Sequence, residues 1–163
     1  ICYELINSKQ FKLADILLDF ACKQIKHFNE SSKNLLIVNK SLSQYLQGNT
    51  KNASEIIESK DWSASSDDFK LAYLVLTDRN DEVYALMKKI GNTGEVQIAN
   101  YKTWPLFLKL REEQKFKETF KEIFNQEYSI LENPKRPVQE LIEEQMKNEK
   151  KTPAKKKAST KKK

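Results

Sequence analysis

Residues 11–21 read FKLADILLDFA. Phe11, Ala14, Leu17, Leu18 and Ala21 return every three or four positions, and Ile25 extends the stripe. That is the period of one face of an α-helix, not the alternation of a half-buried strand. The order of sizes along the face matters as much as its period. A small residue, Ala14, lets a neighbouring helix approach closely, and the bulky Leu18 four positions later fills the groove beside it.

The small-then-bulky pair recurs downstream as Ala53/Ile57, Val83/Met87 and Thr119/Ile123, at intervals of 39, 30 and 36 residues. An aromatic stands three positions before the small residue in two of the four, Phe11 and Phe116. Between these stretches the chain offers further helical stripes. Leu35, Val38, Leu42, Tyr45 and Leu46 form one, with Ser31 or Ser32 expected as its N-cap and Gly48-Asn49 as its end. A helix over Phe69–Leu76, capped by Ser65 or Ser66 with Asp67 and Asp68 in its first turn, is apolar on more than one face and should be buried on two sides. Asn80 is expected to cap the helix Asp81–Ile90, with Gly91 as its left-handed stop. Residues 91–102 read as irregular, with a short extended piece over Val96, Ile98 and Tyr101, and residues 104–128 as two helices broken near 112–115. Only three glycines and four prolines interrupt the chain, so the expected class is all-α.

The four stretches resemble the second helix of tetratricopeptide repeats, most fully in FKLADILLDFA, where the aromatic, both alanines and the bulky residue occur together. The resemblance spans about residues 1–126, as one half repeat and three whole ones. It departs from the family in its uneven spacing, in Val83 and Thr119 at the small position, and in the missing proline at the hairpin ends. It implies an α-solenoid of antiparallel helix hairpins over 1–132, with a peptide or protein ligand on the open face of the first helix of each pair. The residues expected on that face are Asn39, Ser43, Lys70, Tyr73 and Lys109, with Lys40 and Tyr45 on the margin between groove and core. An irregular helical bundle is the alternative architecture. Residues 133–150 read as a linker and an amphipathic capping helix carrying Val138, Leu141, Ile142 and Met146.

Chemistry-bearing patterns are absent from the sequence. His27 is the only histidine and lies on a different helix face from Cys22, so neither a metal site nor a Cys–His nucleophile is expected. No phosphate-cradling glycine loop or serine elbow occurs. The acidic neighbours Asp67/Asp68, Glu112/Glu113 and Glu143/Glu144 would point about 100° apart on a helix and do not converge as an acid–base pair. Glu58 and Asp61 read as surface charge. Trp62 and Trp104 sit at helix boundaries as packing wedges, with ligand stacking as the alternative role. No enzyme activity, cofactor or metal is expected.

The net charge of +6 is not spread over the chain. Residues 147–163 hold nine lysines and one glutamate, net +8, which leaves −2 for residues 1–146. A disordered tail is expected over 151–163. Lys155, Lys156, Lys157, Lys161, Lys162 and Lys163 could contact phosphates or an acidic partner, but the tail lacks the arginines and aromatics of specific base reading. No apolar run approaches the roughly 20 residues of a membrane span. Two unpaired cysteines favour a reducing cytoplasm. The start at Ile1, as if within a helix, reads as a piece of a longer chain.

Three functions follow as expectations. The first is a non-enzymatic scaffold for protein–protein or intramolecular contact. The second is non-specific nucleic-acid association through the lysine tail. The third is a regulatory segment of an enzyme whose active site lies upstream of Ile1.

Overall fold

The computed structural model describes residues 1–25 and 27–129, all within one unit, Ile1–Ile130. The expected linker, capping helix and lysine tail, including Lys155–Lys157 and Lys161–Lys163, lie outside the described residues. Among the described residues the secondary structure is helical, with no strand: α1 (Cys2–Asn7), α2 (Phe11–Gln24), α3 (Glu30–Leu46), α4 (Thr50–Ile57), α5 (Asp67–Leu76), α6 (Asn80–Ile90), α7 (Ile98–Thr103), two single 3₁₀ turns (Pro105–Phe107 and Leu110–Glu112) and α8 (Gln114–Phe124). No helix among them is long and apolar enough to cross a membrane.

Three connections share one backbone solution. α1 and α2 are joined by Ser8-Lys9-Gln10, α3 and α4 by Gln47-Gly48-Asn49, and α5 and α6 by Thr77-Asp78-Arg79. The middle residue has positive φ in each turn: 59° at Lys9, 86° at Gly48 and 54° at Asp78. The following N–H reaches back five residues: Gln10 to the Leu5 carbonyl at 2.8 Å, Asn49 to Gln44 at 3.0 Å and Arg79 to Leu74 at 2.9 Å. The middle N–H bonds the carbonyl three residues back in all three. This double bond is a Schellman ending, which satisfies carbonyls that a helix C-terminus otherwise leaves open.

The second helix of each pair then starts two residues after the positive-φ position, and the small residue falls five after it, at Ala14, Ala53 and Val83. All three are fully buried, as are Leu18, Ile57 and Met87 four positions on. The small residue earns its place by contact: buried Ser41 on α3 donates from Oγ to the Ala53 carbonyl at 2.7 Å, which needs the two backbones close. Thr119 is buried too, but Ile123 is only half-buried and no positive-φ turn precedes α8. The fourth stretch is therefore built differently from the first three.

Packing follows the pairs. α1 lies on α2, α3 on α4 and α5 on α6, while the first helices touch in series, α1 on α3, α3 on α5, and α5 on the Pro105–Phe107 turn. α5 meets α3, α4 and α6, and its Leu71, Ala72, Leu74, Val75 and Leu76 are all buried, as its two-faced apolar pattern predicts. At about 1.5–3 kcal/mol for each large side chain removed from water, this helix is a principal source of stability. Beyond it, Tyr101, Phe107, Phe116, Phe120, Phe124 and Tyr128 form a continuous aromatic cluster, with ring centroids 4.8–6.4 Å apart.

Several local expectations are corrected. Asn29, not Ser31 or Ser32, caps α3, its side chain accepting from the Ser32 N–H at 2.8 Å. Arg79 occupies the N-cap position of α6 and Asn80 its first turn. Gly91 has φ 64° but ψ −156°, an extended mirror conformation open essentially to glycine, and not the left-handed helix stop. Residues 98–103 form α7 instead of an extended piece, because Asn100 accepts from the Gln97 N–H at 2.9 Å and starts a helix there. Residues 105–112 make only 3₁₀ turns. Pro105 holds Trp104 in an extended conformation, ψ 123°, so no α-helix runs through.

Candidate functional site

The five residues expected on an open face do not share one surface. Ser43 is fully buried, and its Oγ accepts from Gln47 Nε2 at 3.3 Å. Lys109 is exposed, with its Nζ 3.6 Å from the centre of the Tyr45 ring, a close cation–π contact. Lys70 and Tyr73 line one cleft, and Asn39 lines another, smaller one. Of the marginal pair, Lys40 bonds Asp19 at 2.6 Å between α3 and α2, and buried Tyr45 donates to Asp78 at 2.8 Å.

The larger cleft, about 720 Å³, lies between the α4–α5 connection and the faces of α5 and α6. Its cations are already engaged by carboxylates. Lys60 bonds Glu30, and Arg79 holds Glu82 through two bonds of 2.5 and 2.6 Å while stacking on Tyr73. Lys70 and Lys89 share Asp67, each at 3.9 Å. Trp62 on its wall is buried and donates its indole N–H to the Ile57 carbonyl at 2.6 Å, a packing wedge as expected. A ligand entering here would compete with bonds that the protein has made internally.

The smaller cleft, about 410 Å³, is built by α1, α3 and α5 on one side and by α7 with its flanking segments on the other. Tyr3 comes from α1, Leu35, Val38 and Asn39 from α3, Asp68 and Phe69 from α5, Asn100 from α7, and Glu95, Val96 and Trp104 from the segments flanking α7. Each element delivers its residue for a local reason. Asp68 is fixed in the first turn of α5, its Oδ1 accepting from the Phe69 N–H at 2.8 Å and from the Ser66 hydroxyl. Trp104 is presented by the extended backbone before Pro105 and rests edge-on against Phe107, with centroids 5.6 Å apart. Tyr3 reaches the Thr103 carbonyl at 3.5 Å, tying α1 to the end of α7. No lysine or arginine lines this cleft. Tyr3, Glu95 and Asn100 carry no sequence signal of a shared site, since they come from separate segments.

Other polar groups bond within the fold. Glu113 accepts from Tyr84 at 2.5 Å and Asn80 at 3.0 Å, and Asp61 accepts from Ser63 twice. Burial, reinforced by carboxylate partners, pushes the Tyr45 and Tyr84 hydroxyls well above their ordinary value, and burial alone does so for Tyr101. His27 and Cys22 are exposed and Cys2 is half-buried, with both cysteines free. Among the described residues no cluster of three His, Cys, Asp or Glu side chains is placed to hold a metal ion. A second exposed feature is the outer face of α2, where Leu13, Ile16 and Phe20 stand 45, 64 and 60% exposed. No family model, no curated protein and no solved structure matches this chain.

Proposed function

We propose that residues 1–132 form a tetratricopeptide-like α-solenoid of antiparallel helix hairpins that serves as a non-enzymatic binding module for a protein or peptide partner. The observation that carries this reading is the threefold repetition of one turn in one register: positive φ at Lys9, Gly48 and Asp78, with buried Ala14, Ala53 and Val83 each five residues later. The serial contact of α1, α3 and α5 is what stacked pairs would produce, and these three helices supply part of the lining of the smaller cleft, which supports reading that side as the one that takes an extended ligand. The two free cysteines fit a cytoplasmic setting.

Selection from a displayed random-peptide library against the full chain tests the reading, with Trp104→Ala as the counter-screen. The reading expects enriched peptides that lose binding to Trp104→Ala. A library that yields no enriched binder, or only binders indifferent to that substitution, removes the support for a ligand groove here. The nucleic-acid alternative rests on the lysine charge of 147–163 alone, and would show as salt-sensitive binding of single-stranded DNA that deletion of those residues abolishes.

A further inference from the structure

The smaller cleft combines three observations that point to one ligand chemistry. Asn39 is only 8% exposed, lines the cleft, and makes no hydrogen bond among the described residues. Its amide atoms are not sealed from solvent, so the side chain is left open toward the cleft with its hydrogen-bonding capacity unused. Two carboxylates line the same cleft with capacity to spare. Glu95 is exposed and has no hydrogen-bond or ion-pair partner among the described residues, and Asp68 engages only Oδ1. The aromatic rings of Tyr3, Phe69 and Trp104 complete the wall, with no protein cation to neutralise the acids. The larger cleft differs in carrying four cations, Lys60, Lys70, Arg79 and Lys89, on its own wall.

We infer that this cleft receives an arginine side chain from a basic segment of the protein partner. The guanidinium is a planar donor of five N–H bonds that stacks on aromatic faces. Its donors suit the Asn39 carbonyl oxygen and the Glu95 and Asp68 carboxylates, and its plane suits the Trp104 and Phe69 rings on the same wall. A lysine ammonium offers the same charge but only point contact. Nucleic acid is disfavoured here, since its phosphates would face Asp68 and Glu95. The inference rests on the binding-module reading and adds the charge and shape of the ligand.

Titration of the full chain with three short peptides that differ at one central position tests it: arginine, lysine and citrulline, the last a neutral isostere. The arginine peptide binds, the lysine peptide binds on the order of tenfold more weakly, and the citrulline peptide loses binding altogether. Glu95→Gln, at an exposed position that leaves the fold intact, weakens the arginine peptide about tenfold and shallows its salt dependence. Asn39→Ala weakens it as well. Equal binding of the citrulline and arginine peptides, or indifference to Glu95→Gln, overturns the inference. Library selection separates the two levels. Groove binders without arginine end this inference and leave the module reading standing, whereas the absence of any groove binder ends both.

Discussion

Arg111 donates from Nη2 to the Trp104 carbonyl at 2.6 Å and from Nε to the Tyr101 carbonyl at 2.9 Å. One half-buried guanidinium thus satisfies two carbonyls at the end of α7 and sets the backbone that presents Trp104 to the smaller cleft. A cation suits the negative end of a helix, and arginine keeps its charge even where burial lowers its pKa. Arg111→Ala should cost about 1–3 kcal/mol by urea unfolding, because two acceptors lose their donors. Arg111→Lys should fall between the two, since an ammonium cannot span both carbonyls in the same fork. Equal stability of all three proteins would show the clamp to be inert.

Tyr101 and Tyr45 offer a paired test of buried hydroxyls. The Tyr45 hydroxyl has Asp78, while that of fully buried Tyr101 has no partner among the described residues. Tyr101→Phe should therefore be neutral or stabilising by up to about 1 kcal/mol, and Tyr45→Phe destabilising by about 1 kcal/mol. Denaturation midpoints of the two variants must move in different directions or at least by unequal amounts. A larger loss at Tyr101 would mean that its hydroxyl is bonded.

The same residues predict sensitivity to alkali. The folded-state pKa values of Tyr45, Tyr84 and Tyr101 lie above the ordinary value of 10.0. Their contribution is fully present below the unfolded-state value and is lost as pH rises toward the folded one, because the unfolded chain gives up these protons first. Stability should fall above about pH 10, by up to about 1.4 kcal/mol per pH unit for each tyrosine. The decline should be shallower in Tyr101→Phe. Urea midpoints that stay level between about pH 9 and 11 would contradict the assignment.

The repeated turn makes a prediction of its own. An L-residue at positive φ pays roughly 1 kcal/mol that glycine avoids. Lys9→Gly should stabilise the fold, and Gly48→Ala should destabilise it by a similar amount. Asp78→Gly should gain less than Lys9→Gly, since it also removes the acceptor of the Tyr45 hydroxyl. If thermal melts order the three otherwise, the shared turn is not what sets the register.

Much of the helical skeleton was legible because its buried positions carry the period. Ala14/Leu18, Ala53/Ile57 and Val83/Met87 were found from spacing and are fully buried. The turns that fix their register were harder to see. Only Gly48 advertises positive φ, whereas Lys9 and Asp78 adopt it without a glycine. Residues 98–112 misled because a side-chain cap at Gln97-Asn100 and the proline after Trp104 decide that segment, and neither leaves an apolar period. Of the smaller cleft, Asn39 is legible as a helix-face candidate, whereas the boundary position of Trp104 reads first as a packing wedge and only secondarily as a ligand-stacking ring. Glu95, Asp68 and Tyr3 belong to different elements, and only the tertiary fold brings them together.

The chain's two tryptophans stand one in each cleft, Trp62 in the larger and Trp104 in the smaller, so their indole N–H resonances report separately on the two sites. Titrating the ¹⁵N-labelled full chain with the arginine peptide should shift the Trp104 indole signal in proportion to occupancy and leave that of Trp62, bonded to the Ile57 carbonyl, in place. A shift confined to Trp62, or none at either ring as peptide is added to saturation of any binding seen by calorimetry, would contradict the account.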